Sequence, residues 1–189
     1  MSGMWLVFAA LAGILVGAGD QALGSLTPIT WTWNYQAAEV SATWLVLPFV
    51  VGMCQRTTRR ALIAGAVSAL AAVVAYCAMI LSPMEGVHLS SPFVQIVDTA
   101  YSQLPWFLGA AIVAPLYGLL GRRWRAERSL ISCVVLVGTI CLEPAVRTIA
   151  GRALPDKTVW IIEVLCGVLL GCAFGVMYVR ARSRVSNSA

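Results

Sequence analysis

Six long apolar runs, separated by short polar segments, constrain this chain more than any other feature of its sequence. The runs cover about residues 4–24, 38–55, 60–82, 104–121, 128–150 and 158–180. A helix needs roughly 20 mostly apolar residues to cross a bilayer, because its backbone amides find no partner in hydrocarbon except each other. The sequence therefore predicts an all-α fold: one integral membrane domain, residues 1–189, built as a polytopic bundle of six transmembrane helices.

The composition points to the same class of protein. The chain is 60% hydrophobic and 11% charged, with a mean hydropathy of +0.84, whereas soluble proteins are about 45–50% apolar and about 25% charged. Its net charge of +5 does not indicate nucleic-acid binding, because the basic residues gather at the ends of the apolar runs. We therefore predict the lipid bilayer as a partner and no nucleic acid.

Three arginine clusters determine the predicted orientation. They lie at residues 56–60, 122–128 and 180–184, and a six-span topology places all three on the same side. Because short basic loops stay in the cytoplasm, both termini are predicted to be cytoplasmic, in a multi-pass protein of the plasma membrane. A cleaved signal peptide over residues 1–24 is disfavoured, since its first residues carry no charged side chain and its apolar run is long.

The sequence lacks the residue sets that common cofactor and metal sites require. It has six cysteines without a C-x-x-C pair, one histidine (His88), and no G-x-x-x-x-G-K-[ST] segment. Bis-histidine haem, histidine-rich zinc sites and P-loop nucleotide hydrolysis all need more than this. We predict no cofactor, no metal ligand and no catalytic residue, and the question whether the chain is an enzyme stays open.

Two connections on the outer side carry patterns of their own. Around Trp31 and Trp33, aromatic residues alternate with polar ones, which is typical of an extended segment in an interfacial aromatic belt, or of a lid over a ligand. After the third span, Ser91 and Pro92 form a helix start. Apolar residues then recur at helical spacing, so a short amphipathic helix is predicted on the outer surface.

Small residues recur every four positions in three of the spans. These small-residue seams are Ala9, Gly13 and Gly17 in the first span, Ala110, Ala114 and Gly118 in the fourth, and Gly167, Gly171 and Gly175 in the sixth. Membrane helices approach closely along such seams. The seams predict helix–helix contact, either within the bundle or, for the first and sixth spans, with a membrane partner subunit.

Ionisable residues in the outer halves of the spans are the candidate site. Glu143 and Arg147 are four residues apart on one helix face, and Asp20, Glu39 and Glu163 belong to three other spans. Charged groups inside membranes usually line a cavity, so an outward-opening polar cavity is one interpretation. The alternatives are a neutralised intrahelical pair at Glu143 and Arg147, and interfacial positions near water for the other three carboxylates.

A resemblance adds an expected location. The segment ATWLVLPFVVG carries the pattern W-x-x-x-x-F-x-x-G at Trp44, Phe49 and Gly52, is preceded by Asn34 and is followed by arginines. With these features the chain resembles a family of small bacterial membrane proteins of unknown function. The resemblance implies a bacterial inner-membrane location and gives no information on activity. Its plan is also similar to the substrate-capture subunits of energy-coupling-factor vitamin transporters, which have six spans and an outward-facing pocket.

Three functional hypotheses follow. The first is binding or transport of a small polar solute, with an excess of acid over base favouring either a cationic group on the solute or proton coupling through a glutamate. Glu143 would be its central contact with Arg147 orienting it, and the contacts at the mouth would be Asp20, Glu39, Glu163, Trp31 and Trp33. The second is a non-catalytic accessory or assembly subunit of a larger membrane complex. The third is an intramembrane enzyme acting on a lipid or isoprenoid.

Overall fold

The described part of the chain is entirely helical. The computed structural model describes residues 3–25, 40–83, 91–152 and 157–186. Within these ranges it has seven helices and no strand: α1 Met4–Ser25, α2 Ala42–Met53, α3 Thr58–Ile80, α4 Pro92–Ser102, α5 Leu104–Glu127, α6 Leu130–Ile149 and α7 Lys157–Ser186. Five of them, α1, α3, α5, α6 and α7, are long and apolar enough to cross a membrane. The prediction of a helical membrane protein is confirmed.

The second predicted span differs from the other five. The run over 38–55 becomes α2, a helix of 12 residues, which at 1.5 Å per residue is about 18 Å long. The hydrocarbon core of a bilayer is about 30 Å thick, so α2 alone falls short of it. The last turn of α2 is bound by an arginine of α5, because Arg125 Nη1 donates a hydrogen bond to the carbonyl oxygen of Met53 at 2.9 Å.

Helices α1, α3 and α5 pack backbone against backbone along the small-residue seams. A Cβ atom added at Gly17 would collide with the carbonyl oxygen of Ala72 in α3, and one at Gly118 would collide with that of Ala61. Gly65 of α3 faces Ala114 of α5 in the same way. The seams of the first and fourth spans are therefore covered by a helix of the same chain.

Helix α2 packs against α5 through equally close contacts, and the four helices α1, α2, α3 and α5 are called the slab below. A Cβ at Gly52 would collide with backbone atoms of Gly118, and one at Gly121 with the carbonyl oxygen of Phe49. The Phe49 ring is buried and its centroid lies 5.9 Å from that of Phe174 in α7. Phe49 and Gly52, two residues of the W-x-x-x-x-F-x-x-G pattern, therefore serve packing.

Helices α6 and α7 form a hairpin held by side chains. A Cβ at Gly167 would lie 2.7 Å from Cys141 Sγ of α6, Gly171 makes only ordinary contact with Val137, and Gly175 has nothing within 4 Å. Towards the slab, the Tyr117 hydroxyl lies 2.6 Å from Thr139 Oγ1. Packing of comparable extent between α7 and α1 is absent among the described residues, so these two helices leave a gap between them.

The short helix predicted after the third span is present as α4. It begins at Pro92 and ends at Ser102, and its apolar side chains are uncovered, with Phe93 78% and Tyr101 77% exposed. A helix with an uncovered apolar face and a polar opposite face is suited to the surface of a bilayer. The arginine clusters lie at the end of the bundle opposite to α4, where α3 begins and α5 ends. There the Arg60 guanidinium lies 5.9 Å from the Trp5 ring.

Candidate functional site

The predicted pair of Glu143 and Arg147 is present, and it reaches a third residue. Arg147 Nε donates to Glu143 Oε1 at 2.8 Å, one helical turn apart on α6. The same oxygen accepts the backbone N–H of Ser41 at 2.8 Å, and Arg147 Nη2 donates to Ser41 Oγ at 3.0 Å. Ser41 precedes the first residue of α2, where helix N–H groups lack partners within the helix. The pair therefore ties α6 to the start of α2.

Glu163 of α7 lies in a different situation. Its side chain is 5% exposed, neither carboxylate oxygen accepts a hydrogen bond from a donor group of the described residues, and its carboxyl group lies within hydrogen-bonding reach of that of Glu143. Its charged neighbours are Glu143 and Arg147. Since Arg147 already donates to Glu143, one cation faces two carboxylates, and the described cluster carries an excess of one negative charge when all three groups are ionised.

An apolar groove runs beside Glu163 through the gap between α1 and α7. It has a volume of about 1060 Å³, close to the upper end of the usual range for small-molecule sites, about 300–1,000 Å³. Four helices contribute to its lining, which consists of Val16, Val40, Ala42, Thr43, Val46, Leu47, Val50, Ile140, Thr158, Val159, Ile162, Glu163, Cys166, Gly167 and Leu170. Glu163 is the only carboxylate among these described lining residues.

Glu143 was the predicted central contact, and the structure places it beside the groove and outside its lining. It is 8% exposed, and the donors named above converge on its Oε1 atom. Sequence spacing identified the pair, but no local pattern marked Ser41 as its third member. The only available signal was that Ser41 immediately precedes an apolar helix, the usual position of a capping residue.

Asp20 also lies apart from the groove. Its Oδ2 atom accepts the indole N–H of Trp44 at 3.3 Å, and the Trp44 ring is 5.9 Å from the rings of both Tyr76 and Trp106. The groove lining begins one turn earlier on α1, at Val16. Asp20 therefore belongs to an aromatic cluster at the end of the bundle that carries α4.

Three predicted site residues, Glu39, Trp31 and Trp33, lie outside the described residues. Within the described ranges, no group of three or more His, Cys, Asp or Glu side chains is placed to hold a metal ion. The site that the structure brings together thus consists of Glu163, the adjacent pair of Glu143 and Arg147, and the apolar groove.

Comparison with known proteins identifies the family. A model described as a family of unknown function, DUF6518, matches residues 28–188, so the chain belongs to that family, in agreement with the resemblance to an uncharacterised family. No curated relative and no solved structure matches the chain.

Proposed function

We propose that this member of DUF6518 is a membrane-embedded binding or transport protein for a small solute that carries a cationic group. The observation that supports this proposal is the carboxylate of Glu163, which is buried beside a groove, lies against the carboxyl group of Glu143, and accepts no hydrogen bond from a donor of the described residues. In the proposal Glu163 replaces Glu143 as the central contact.

The physical argument is one of charge compensation. Burying an ionised carboxylate without a partner is costly, and such groups are usually paired or hydrogen-bonded. An ammonium group in the groove would give Glu163 a cationic partner and balance the excess negative charge that the cluster carries when Glu143 and Glu163 are both ionised. Glu143 and Arg147 would act as positioning residues, because their bonds to Ser41 hold the start of α2, and with it one wall of the groove, against α6.

The proposal includes an orientation. Glu163 lies near the start of α7, on the side of the bundle opposite the arginine clusters. With the arginines in the cytoplasm of a bacterial inner membrane, the site is in the outer half of the bilayer. A solute would then be captured from the outer side.

The test is amine binding by the wild type and by two Glu→Gln variants. The probes are ethanolamine, putrescine and n-decylamine, titrated calorimetrically into protein in phosphatidylcholine nanodiscs with empty discs subtracted. We expect at least one probe to bind the wild type and Glu163→Gln to weaken that binding by about 10- to 100-fold, since a hydrogen bond to a charged group contributes about 1.5–3 kcal/mol.

Glu127→Gln is the matched control, because Glu127 is exposed at the far end of α5 and the chemical change is identical. Its affinity should equal that of the wild type. Failure of all three amines to bind, or equal binding by Glu163→Gln, would refute the proposed function.

The accessory-subunit hypothesis has less support from the packing. The seam of the first span is occupied by α3, and Gly167 of the sixth-span seam is occupied by α6. Only Gly175 of that seam has no neighbour within 4 Å among the described residues. No feature of the described residues favours the intramembrane enzyme over solute binding.

A further inference from the structure

The lining of the groove narrows the chemistry of its ligand. Away from Glu163, the described lining residues are mostly aliphatic, such as Val16 and Leu170, and among them the polar groups are the hydroxyls of Thr43 and Thr158 and the thiol of Cys166. A solute with several donors and acceptors would leave most of them without partners here, at a cost of about 1–3 kcal/mol for each group. A molecule with one polar end and an apolar body matches the lining.

The open side of the groove faces the bilayer. Val50 and Ile162 line the groove from α2 and α7, yet they are 49% and 56% exposed. These exposed side chains belong to apolar helices, and the neighbouring Ile161 and Leu165 on α7 are exposed as well. Since α1 and α7 do not pack closely against each other among the described residues, the groove communicates with the region that acyl chains occupy.

We propose that the ligand is an amphipathic amine, a single apolar chain ending in an ammonium group, which reaches the site sideways from the bilayer between α1 and α7. The ammonium binds the Glu163 carboxylate, and the chain lies against the apolar wall formed by α2 and α7. The proposal rests on the proposed function and specifies its ligand class. The negative charge of the Glu163 carboxylate favours a ligand with an ammonium group. The aliphatic lining favours a ligand with an apolar chain.

The test compares ligands that differ only in the chain or only in the polar end. Ethylamine, n-decylamine and n-decanol are titrated into the full-length protein in phosphatidylcholine nanodiscs, below the micelle concentration of the amine, with empty discs subtracted. We expect n-decylamine to bind at least about 100-fold more tightly than ethylamine on the aqueous concentration scale, because each buried methylene contributes substantially to transfer from water. n-Decanol should show no binding above that of empty discs.

Two variants test the location. Val50→Trp fills the groove from α2 and Cys166→Trp from α7, one turn beyond Glu163, while both keep the Glu163 carboxylate in the chain, and either should weaken n-decylamine binding by at least about 10-fold. Cys172→Trp is the matched control, because Cys172 is exposed on the same helix and lies outside the groove lining. Each variant is checked by gel filtration and circular dichroism, and the two blocking variants provide the result independently of each other.

The outcomes distinguish this proposal from the proposed function. Glu163-dependent binding of ethanolamine or putrescine, as tight as that of n-decylamine, would overturn the amphipathic ligand and leave the cationic-solute function standing. Equal binding of n-decanol would overturn the role of the ammonium. Unchanged n-decylamine binding in both folded blocking variants would show that the groove is not its binding site. Binding of no amine at all would overturn both proposals.

Discussion

Replacing Arg147 with methionine is expected to lower the free energy of unfolding by about 3–5 kcal/mol, the usual cost of removing one member of a buried ion pair. The variant leaves Glu143 and Glu163 facing each other without a described cation beside them, and it also removes the bond from Arg147 to Ser41 Oγ. The measurement is reversible unfolding in mixed micelles of mild detergent and dodecyl sulfate, followed by tryptophan fluorescence.

The double variant Glu143→Gln/Arg147→Met separates charge from hydrogen bonding. Glutamine still accepts the N–H of Ser41, and the uncompensated charge at position 143 is gone, so most of the lost stability should return. Arg123→Met, at an exposed position of α5, is the control and should change stability by less than about 0.5 kcal/mol. A stable Arg147→Met single variant would contradict the view that this pair holds α6 to α2.

Gly121→Ala is expected to destabilise the fold by about 3 kcal/mol, the upper part of the usual range for overpacking. The added methyl group would collide with the carbonyl oxygen of Phe49, which is backbone and cannot rotate away. Helices α2 and α5 would have to separate, and the wall of the groove that α2 provides would move with them. Unfolding in the same mixed micelles measures the effect.

Gly109→Ala on the same helix is the matched control. A Cβ atom at Gly109 meets nothing within 4 Å, and alanine forms helix more readily than glycine by about 1 kcal/mol. This variant should be as stable as the wild type or slightly more so. If both alanine variants had equal stability, the close approach of α2 to α5 would be disproved.

The sequence predicted those features that depend on local spacing. Five apolar runs form spanning helices, Ser91 and Pro92 precede α4, and Glu143 pairs with Arg147, because each of these depends on residues within a few positions of one another. The small-residue seams of the first and fourth spans also predicted close helix contacts correctly, whereas in the sixth span only Gly167 is in close contact with another helix among the described residues. Spacing along one helix does not specify which helix covers it, so α3 as the partner of the first-span seam became evident only in three dimensions.

The features that sequence reasoning missed all depend on contacts between distant segments. Ser41 meets Glu143 across 102 positions of the chain, and no local pattern encodes that contact. Whether Glu143 or Glu163 lines the groove depends on how α6 and α7 are rotated about their axes, and both carboxylates lie in apolar helices of similar composition. The sequence also overestimated the length of the second span, because the predicted run over 38–55 extends beyond both ends of α2.

The contrast between backbone and side-chain packing has a mechanical consequence. In the slab of α1, α2, α3 and α5, glycine backbones lie in direct contact with carbonyl groups of the neighbouring helix. Sliding one helix past another would bring these backbone atoms into collision. The hairpin of α6 and α7 contacts these four helices only through side chains among the described residues, such as Tyr117, Phe174 and the pair of Glu143 and Arg147 at Ser41. Any rocking motion that widens or narrows the groove would therefore pivot the hairpin on a stationary base. Spin labels at Val16 and Cys166 should report changing distances, while a pair placed within the slab should not.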